Sequence, residues 1–184
     1  VGPPSRARKL GKTEGDTLML PELLWIAEAR KHIGQQEVPG PKSNNWILNL
    51  WLSLAPWLGR ADDSAVSWCG AYVRFCLQAC KLPVPKDWYR AKAYLELPVK
   101  LDRPAYGCIV VFDRAGGGHV GFVVGVDRFD NLMVLGGNQG DCVCIKPFSR
   151  DRVVGYRWPS LYPAASRFLL PILDSDGKLS SNEA

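Results

Sequence analysis

The chain has 184 residues, a formal net charge of +5, and 47% hydrophobic against 22% charged residues. That length suits one domain with a core that needs no disulfide staples. No apolar run approaches the roughly 20 residues of a membrane span, and no aromatic-and-basic repeat marks a nucleic-acid binder. The basic excess favours a polyanionic partner, such as an anionic lipid or an anionic cell-wall polymer.

Residues 1–17 are expected to be a flexible basic leader, with Arg6, Arg8, Lys9 and Lys12 among Gly, Pro and Ser. "LPELLWIAEARKHIG" then predicts a helix, with Leu23, Leu24, Ile26, Ala27 and Ile33 as its apolar positions, Pro21 at the start and Gly34 at the stop. Pro39-Gly40-Pro41 is a loop. "NNWILNLWLSL" predicts a second helix behind an Asn cap, with Trp46, Ile47, Leu50, Trp51 and Leu54 at helical spacing. "APWLGRADDS" connects to a third helix from about Trp68 to Ala79, burying Tyr72, Phe75, Cys76 and Ala79. "WYRAKAYLE" is a short fourth helix capped by Asp87.

After Pro104 the pattern changes. "GCIVVFD", "HVGFVVGVD", "NLMVLGG", "CVCIKPF" and "VVGYRW" are short β-rich runs at hairpin spacing, with no room for crossover helices. Helices first and an antiparallel meander after them define an α+β domain. A C-terminal segment and polar tail follow, residues 164–184, and the part from 174 onward is expected to be disordered.

Six cysteines are present, but C-x-x-x-C on a helix and C-x-C on a strand suit neither disulfides nor a zinc site. No metal and no other cofactor is expected. Cys69 differs from the rest because it falls at the start of the third helix. There the first-turn N–H groups and the helix dipole stabilise a thiolate, which is the nucleophilic form. Of two histidines, His32 ends a helix and can cap its last carbonyls, whereas His119 enters an apolar strand behind three glycines. A Cys-His pair needs a third group to orient the imidazole. If residues 119–126 and 131–138 form a hairpin turning at Asp127–Asp130, Asn138 falls nearly opposite His119, and its carboxamide can accept the imidazole N–H. Gln139, Asp141 and Asp113 compete for that role.

The chain resembles the papain-like cysteine peptidoglycan hydrolases of the NlpC/P60 and CHAP superfamily, in their small phage-associated branch. The resemblance rests on "EVPGPKSNNWI" (37–47), "SWCGAYVRFC" (67–76), "GHVGFVVG" (118–125), "LGGNQGDCV" (135–143) and "GYRWP" (155–159), in that order. One departure is Ser67, where the branch has Pro. The resemblance implies a triad of Cys69, His119 and Asn138 in a hydrolase domain over residues 18–163, with its helices packed on a C-terminal antiparallel sheet. It also implies bacterial peptidoglycan as substrate, cleaved at an amide bond as a muramoyl-L-alanine amidase or a stem-peptide endopeptidase.

Trp68 and Trp88 are candidate aromatic contacts to substrate, and Glu37 in the "EVPG" loop could grip substrate or brace the loop. Compact size, positive charge and the lack of a visible secretory signal pattern fit a phage lysin. An interbacterial effector held by an immunity protein fits as well. Either would be made in the bacterial cytoplasm and act on the wall in the periplasm or outside the cell. The competing expectation is a non-catalytic wall-binding or virion structural module that keeps the fold, in which Cys69 is unreactive.

Overall fold

The computed structural model describes residues 21–38, 42–52 and 66–183. The expected leader, the Pro39–Pro41 turn, Leu54 and the loop 55–64 lie outside these residues. Three α-helices come first among the described residues: α1 (Leu24–Arg30), α2 (Asn45–Leu52) and α3 (Cys69–Ala79). Six strands follow: β1 (Val99–Leu101), β2 (Ile109–Arg114), β3 (Gly117–Val126), β4 (Leu132–Gly136), β5 (Cys144–Phe148) and β6 (Val153–Trp158). The fold is α+β, with the strands in one antiparallel sheet of order β1-β6-β2-β3-β4-β5.

β2 to β5 form the expected meander. β6 then returns to the open edge of β2, and β1 pairs beyond it. The turn between β3 and β4 is built by Asp127, whose carboxylate accepts from the backbone N–H groups of Phe129 and Asn131, both at 2.9 Å. β1 escapes a sequence reading because three residues are too few to show alternation.

The helices differ from expectation in their buried faces. α1 buries Trp25, Ile26 and Ala29, whereas Leu24 is 73% exposed. The Trp25 indole sets this rotation, because its Nε1 donates to the Gly107 carbonyl at 2.8 Å. α2 begins behind Asn44, whose side chain accepts from the Trp46 N–H at 2.9 Å, so the predicted Asn cap is present. α3 buries Tyr72, Val73, Cys76 and Leu77, while Ala79 is exposed. The Tyr72 hydroxyl ties α3 to α1 by donating to the Ala29 carbonyl at 2.7 Å.

The predicted fourth α-helix is instead a turn followed by a 3-10 helix, Ala91–Glu96, with no side-chain cap. Packing decides this. A Cβ on Gly70 would lie 2.4 Å from the Trp88 carbonyl oxygen, so this segment rests directly on the start of α3. The Tyr94 hydroxyl donates to the Gly70 carbonyl at 2.6 Å from the same segment.

The C-terminal segment is not disordered. Val126 N–H donates to the Pro171 carbonyl, Leu173 N–H donates to the Val126 carbonyl, and Tyr106 N–H donates to the Arg167 carbonyl. Further on, Ser180 N–H donates to the Pro147 carbonyl and Gly140 N–H to that of Asn182. Polar composition pointed to disorder, but backbone pairing with the sheet does not require apolar side chains.

Candidate active site

Cys69 is the first residue of α3, and Trp68 precedes it as N-cap. The Cys69 thiol is buried, 2% exposed, and faces β3, where His119 stands directly across from Phe112 of β2. His119 is fully buried, and its ring stacks on Phe148 with centroids 5.2 Å apart and planes 7° from parallel. Phe148 in turn stacks on Phe112 at 4.7 Å. The imidazole is therefore held in one plane by aromatic neighbours before any hydrogen bond is considered.

The group on the imidazole is Gln139. Its Oε1 lies 3.0 Å from His119 Nε2. The orientation of this carboxamide is fixed on its other side, where Nε2 donates to the carbonyls of Val134 at 3.0 Å and Cys144 at 2.8 Å. With the amide nitrogen committed to two acceptors, Oε1 must accept from His119, so His119 Nε2 carries the proton. That leaves Nδ1, a buried atom with no hydrogen-bond partner, as the basic nitrogen available to the Cys69 thiol, which the imidazole holds down against burial.

Asn138, the residue favoured by register and by the family pattern, does not occupy this position. The register itself is as expected, with Phe122 opposite Leu135. However, β4 ends at Gly136, and Asn138 sits at φ +58°, so the chain leaves the ladder just before it would oppose His119. The next residue turns back under β4. Gly136 makes room for it, because a Cβ there would lie 2.4 Å from Gln139 Oε1. Asn138 is buried within this loop. Of the other competitors, Asp113 is exposed and paired with Lys92 at 2.6 Å, and Asp141 accepts from the Asn182 side chain.

The electrostatics separate Cys69 from its relatives in the chain. Burial alone would push its thiol up, but His119, Ser67 and the Val120 N–H outweigh burial and hold it at about 7. Burial pushes Cys108 and Cys144 up to about 12 and raises Cys76 and Cys80 as well. Ser67, at the position where the family branch has Pro, takes part directly: its Oγ is 3.6 Å from the Cys69 sulfur. Among the described residues no group of His, Cys, Asp and Glu is arranged to hold a metal ion.

The three residues offered for substrate contact serve the scaffold. Trp68 is fully buried, and its indole lies where a Cβ on Gly137 would be, 2.5 Å away. The Trp68 Nε1 donates to Glu37 at 2.7 Å, so Glu37 braces the N-terminal edge of α3 from the loop after α1. Trp88 is 6% exposed and packs between Trp51 and the Arg74 guanidinium, which sits 4.3 Å over the ring.

Access to the thiol runs instead through a groove of about 430 Å³ that includes Ser67 and Cys69. Tyr89, Arg90 and Lys92 line one wall, and Arg114 and Gly116–Gly118 the other. Gly118 lets the walls approach, since a Cβ there would lie 3.3 Å from Lys92 Cγ and 3.4 Å from Ala91 Cβ. Tyr89 is the partly exposed aromatic at this groove, and sequence patterning had no means of separating it from its buried neighbour Trp88.

The site thus brings together a thiol at a helix start, an imidazole held by a carboxamide, and a groove that reaches the sulfur. Residues 61–138 match the CHAP domain. The match is consistent with the CHAP part of the resemblance drawn from the motifs, and the α+β architecture agrees with it. The matched span includes Cys69, His119 and Asn138 and ends one residue before Gln139. CHAP domains are generally hydrolases acting on peptidoglycan, so the match points to amidase or peptidase activity on that substrate class. Among curated proteins, none matches the chain.

Proposed function

We propose that the protein cleaves an amide bond of bacterial peptidoglycan by a thiol mechanism, with Cys69 as nucleophile, His119 as general base and acid, and Gln139 as the orienting residue. The supporting observations are the Gln139 carboxamide on the His119 imidazole and a Cys69 thiol that His119, against burial, holds at about 7. His119 Nδ1 takes the Cys69 proton, and the thiolate attacks the substrate carbonyl carbon. The first-turn N–H groups of α3, which have no intrahelical acceptor, stabilise the oxyanion. His119 then gives its proton to the leaving amine, which departs as the C–N bond breaks and leaves a thioester. Water, deprotonated by His119, attacks the thioester, and the carboxylic acid and free thiol are regenerated.

Within this reading the scissile bond is either the muramoyl-L-alanine amide or a bond in the stem peptide. The cationic residues on the two sides of the groove, Arg90 and Lys92 facing Arg114, support an acidic peptide substrate in both cases. The setting we propose is a phage lysin, or an interbacterial effector restrained by an immunity protein, made in the cytoplasm and acting on the wall. Mass spectrometry of the soluble products of purified sacculi tests the bond. Intact stem peptides identify an amidase, and truncated stems or split cross-links identify an endopeptidase. Release of neither contradicts the reading.

A further inference from the structure

The last described residues lie across the rim of the active site. Asn182 accepts at its carbonyl from Gly140 N–H, 2.6 Å, next to Gln139 in the chain. Glu183 is almost wholly buried, its side chain 1% exposed, and Arg152 grips its carboxylate through two bonds of 2.8 and 3.3 Å. Arg152 also donates to the Ser180 carbonyl at 3.2 Å and to the Asp113 carbonyl at 3.2 Å. Arg114 donates to the Glu183 carbonyl, and the same Arg114 lines the groove over Cys69.

Two features separate this contact from ordinary tail packing. Residues 174–183 contain one apolar side chain, Leu179, and it is 47% exposed, so no hydrophobic anchor holds the segment. The tail donates from Ser180 N–H to Pro147 and from the Asn182 side chain to Asp141. Around Arg114, Arg152 and Gly140, however, the rim offers donors and the tail supplies acceptors: three main-chain carbonyls and one carboxylate. That is the pattern of a site receiving an extended acidic peptide.

We propose that Arg114 and Arg152 form a carboxylate-binding subsite at the rim of the Cys69 groove, that it takes a free carboxylate of an extended acidic peptide, and that Glu183 occupies it in the resting protein. This deepens the peptidoglycan reading and rests on it for the identity of the peptide. An occupant in cis lowers the apparent affinity for any competing carboxylate by the fraction of time the subsite is open.

The test uses the full chain and glutarate, which carries the carboxylate chemistry of Glu183 without a peptide. Calorimetry on wild type, Glu183→Gln and Glu183→Gln/Arg152→Ala should show about tenfold tighter glutarate binding to Glu183→Gln than to wild type, with the gain lost in the double variant. Equal binding by wild type and Glu183→Gln overturns the proposal, as does undiminished binding by the double variant. Should Glu183→Gln fail to fold, refolding on glutarate addition supports the subsite, and no refolding makes the pair a structural brace and ends the proposal. With an acidic muropeptide as substrate, Glu183→Gln should show a lowered KM. If glutarate binds as expected and no variant cleaves the muropeptide, the subsite stands and the peptidoglycan reading fails.

Discussion

Gln139 Oε1 sits 3.0 Å from His119 Nε2, and the same carboxamide is pinned by two carbonyls, Val134 and Cys144, at its other end. The imidazole is thereby given one tautomer, with Nδ1 left to serve the thiol. Replacing Gln139 by Ala should lower kcat by about 10²-fold, the usual scale for a misplaced catalytic group, with little change in KM. Gly136→Ala should reproduce much of that loss, because the new methyl would displace Oε1. Asn138→Gly keeps the positive φ and should cost far less in kcat. Steady-state kinetics on a soluble muropeptide separates these three; a kcat loss in Asn138→Gly as large as that in Gln139→Ala would return the orienting role to Asn138.

Cys69 reactivity should follow pH with a midpoint of about 7. The thiolate is the reactive form, so alkylation by iodoacetamide rises with pH: about a tenth of its plateau at pH 6 and about nine tenths at pH 8. His119→Ala removes the leading stabilising partner while burial remains, so its midpoint should move upward. Mass-spectrometric labelling across pH checks both the value and the direction. A midpoint in wild type near that of an ordinary thiol would show that His119 is not coupled to Cys69.

Gly137→Ala should destabilise the fold by about 1–3 kcal/mol, as overpacking does. The added Cβ would meet the Trp68 ring, itself fully buried and unable to yield. Gly116→Ala is the control, because its Cβ would meet nothing within 4 Å and only its positive φ opposes the change. Thermal melts compare the two.

Trp68→Phe should cost stability by about 1–3 kcal/mol, since the buried indole N–H would be lost from Glu37. Activity per folded molecule should change little in KM, because Trp68 contacts no solvent. A marked rise in KM with an unchanged melting temperature would restore Trp68 as a substrate contact.

Much of this site was legible in the residues. Cys69 could be found because helix starts have a physical signature, and His119 because three glycines precede it where a structural histidine would need none. Beside the turn the register of β3 and β4 is one residue from that expected, Val126 opposite Leu132, and an irregularity between Val123 and Gly125 restores the expected pairing at Phe122 and Leu135. What escaped was one position in a loop: register extrapolates only while a ladder lasts, and β4 stops at Gly136. Beyond it, left-handed residues at 138, 140 and 141 decide which carboxamide faces the ring, and local sequence does not encode that choice unambiguously. The tryptophans misled for a different reason. A helix-start Trp next to a nucleophile can face the groove or the core, and only the Gly137 contact settles which.

The most direct measurement is digestion of purified sacculi by wild type and by Cys69→Ala, with the soluble products read by mass spectrometry. The account predicts fragments from wild type and none from the variant. Fragments from both would remove Cys69 from the chemistry, and two inert proteins that still bind sacculi would leave a wall-binding module in place of an enzyme.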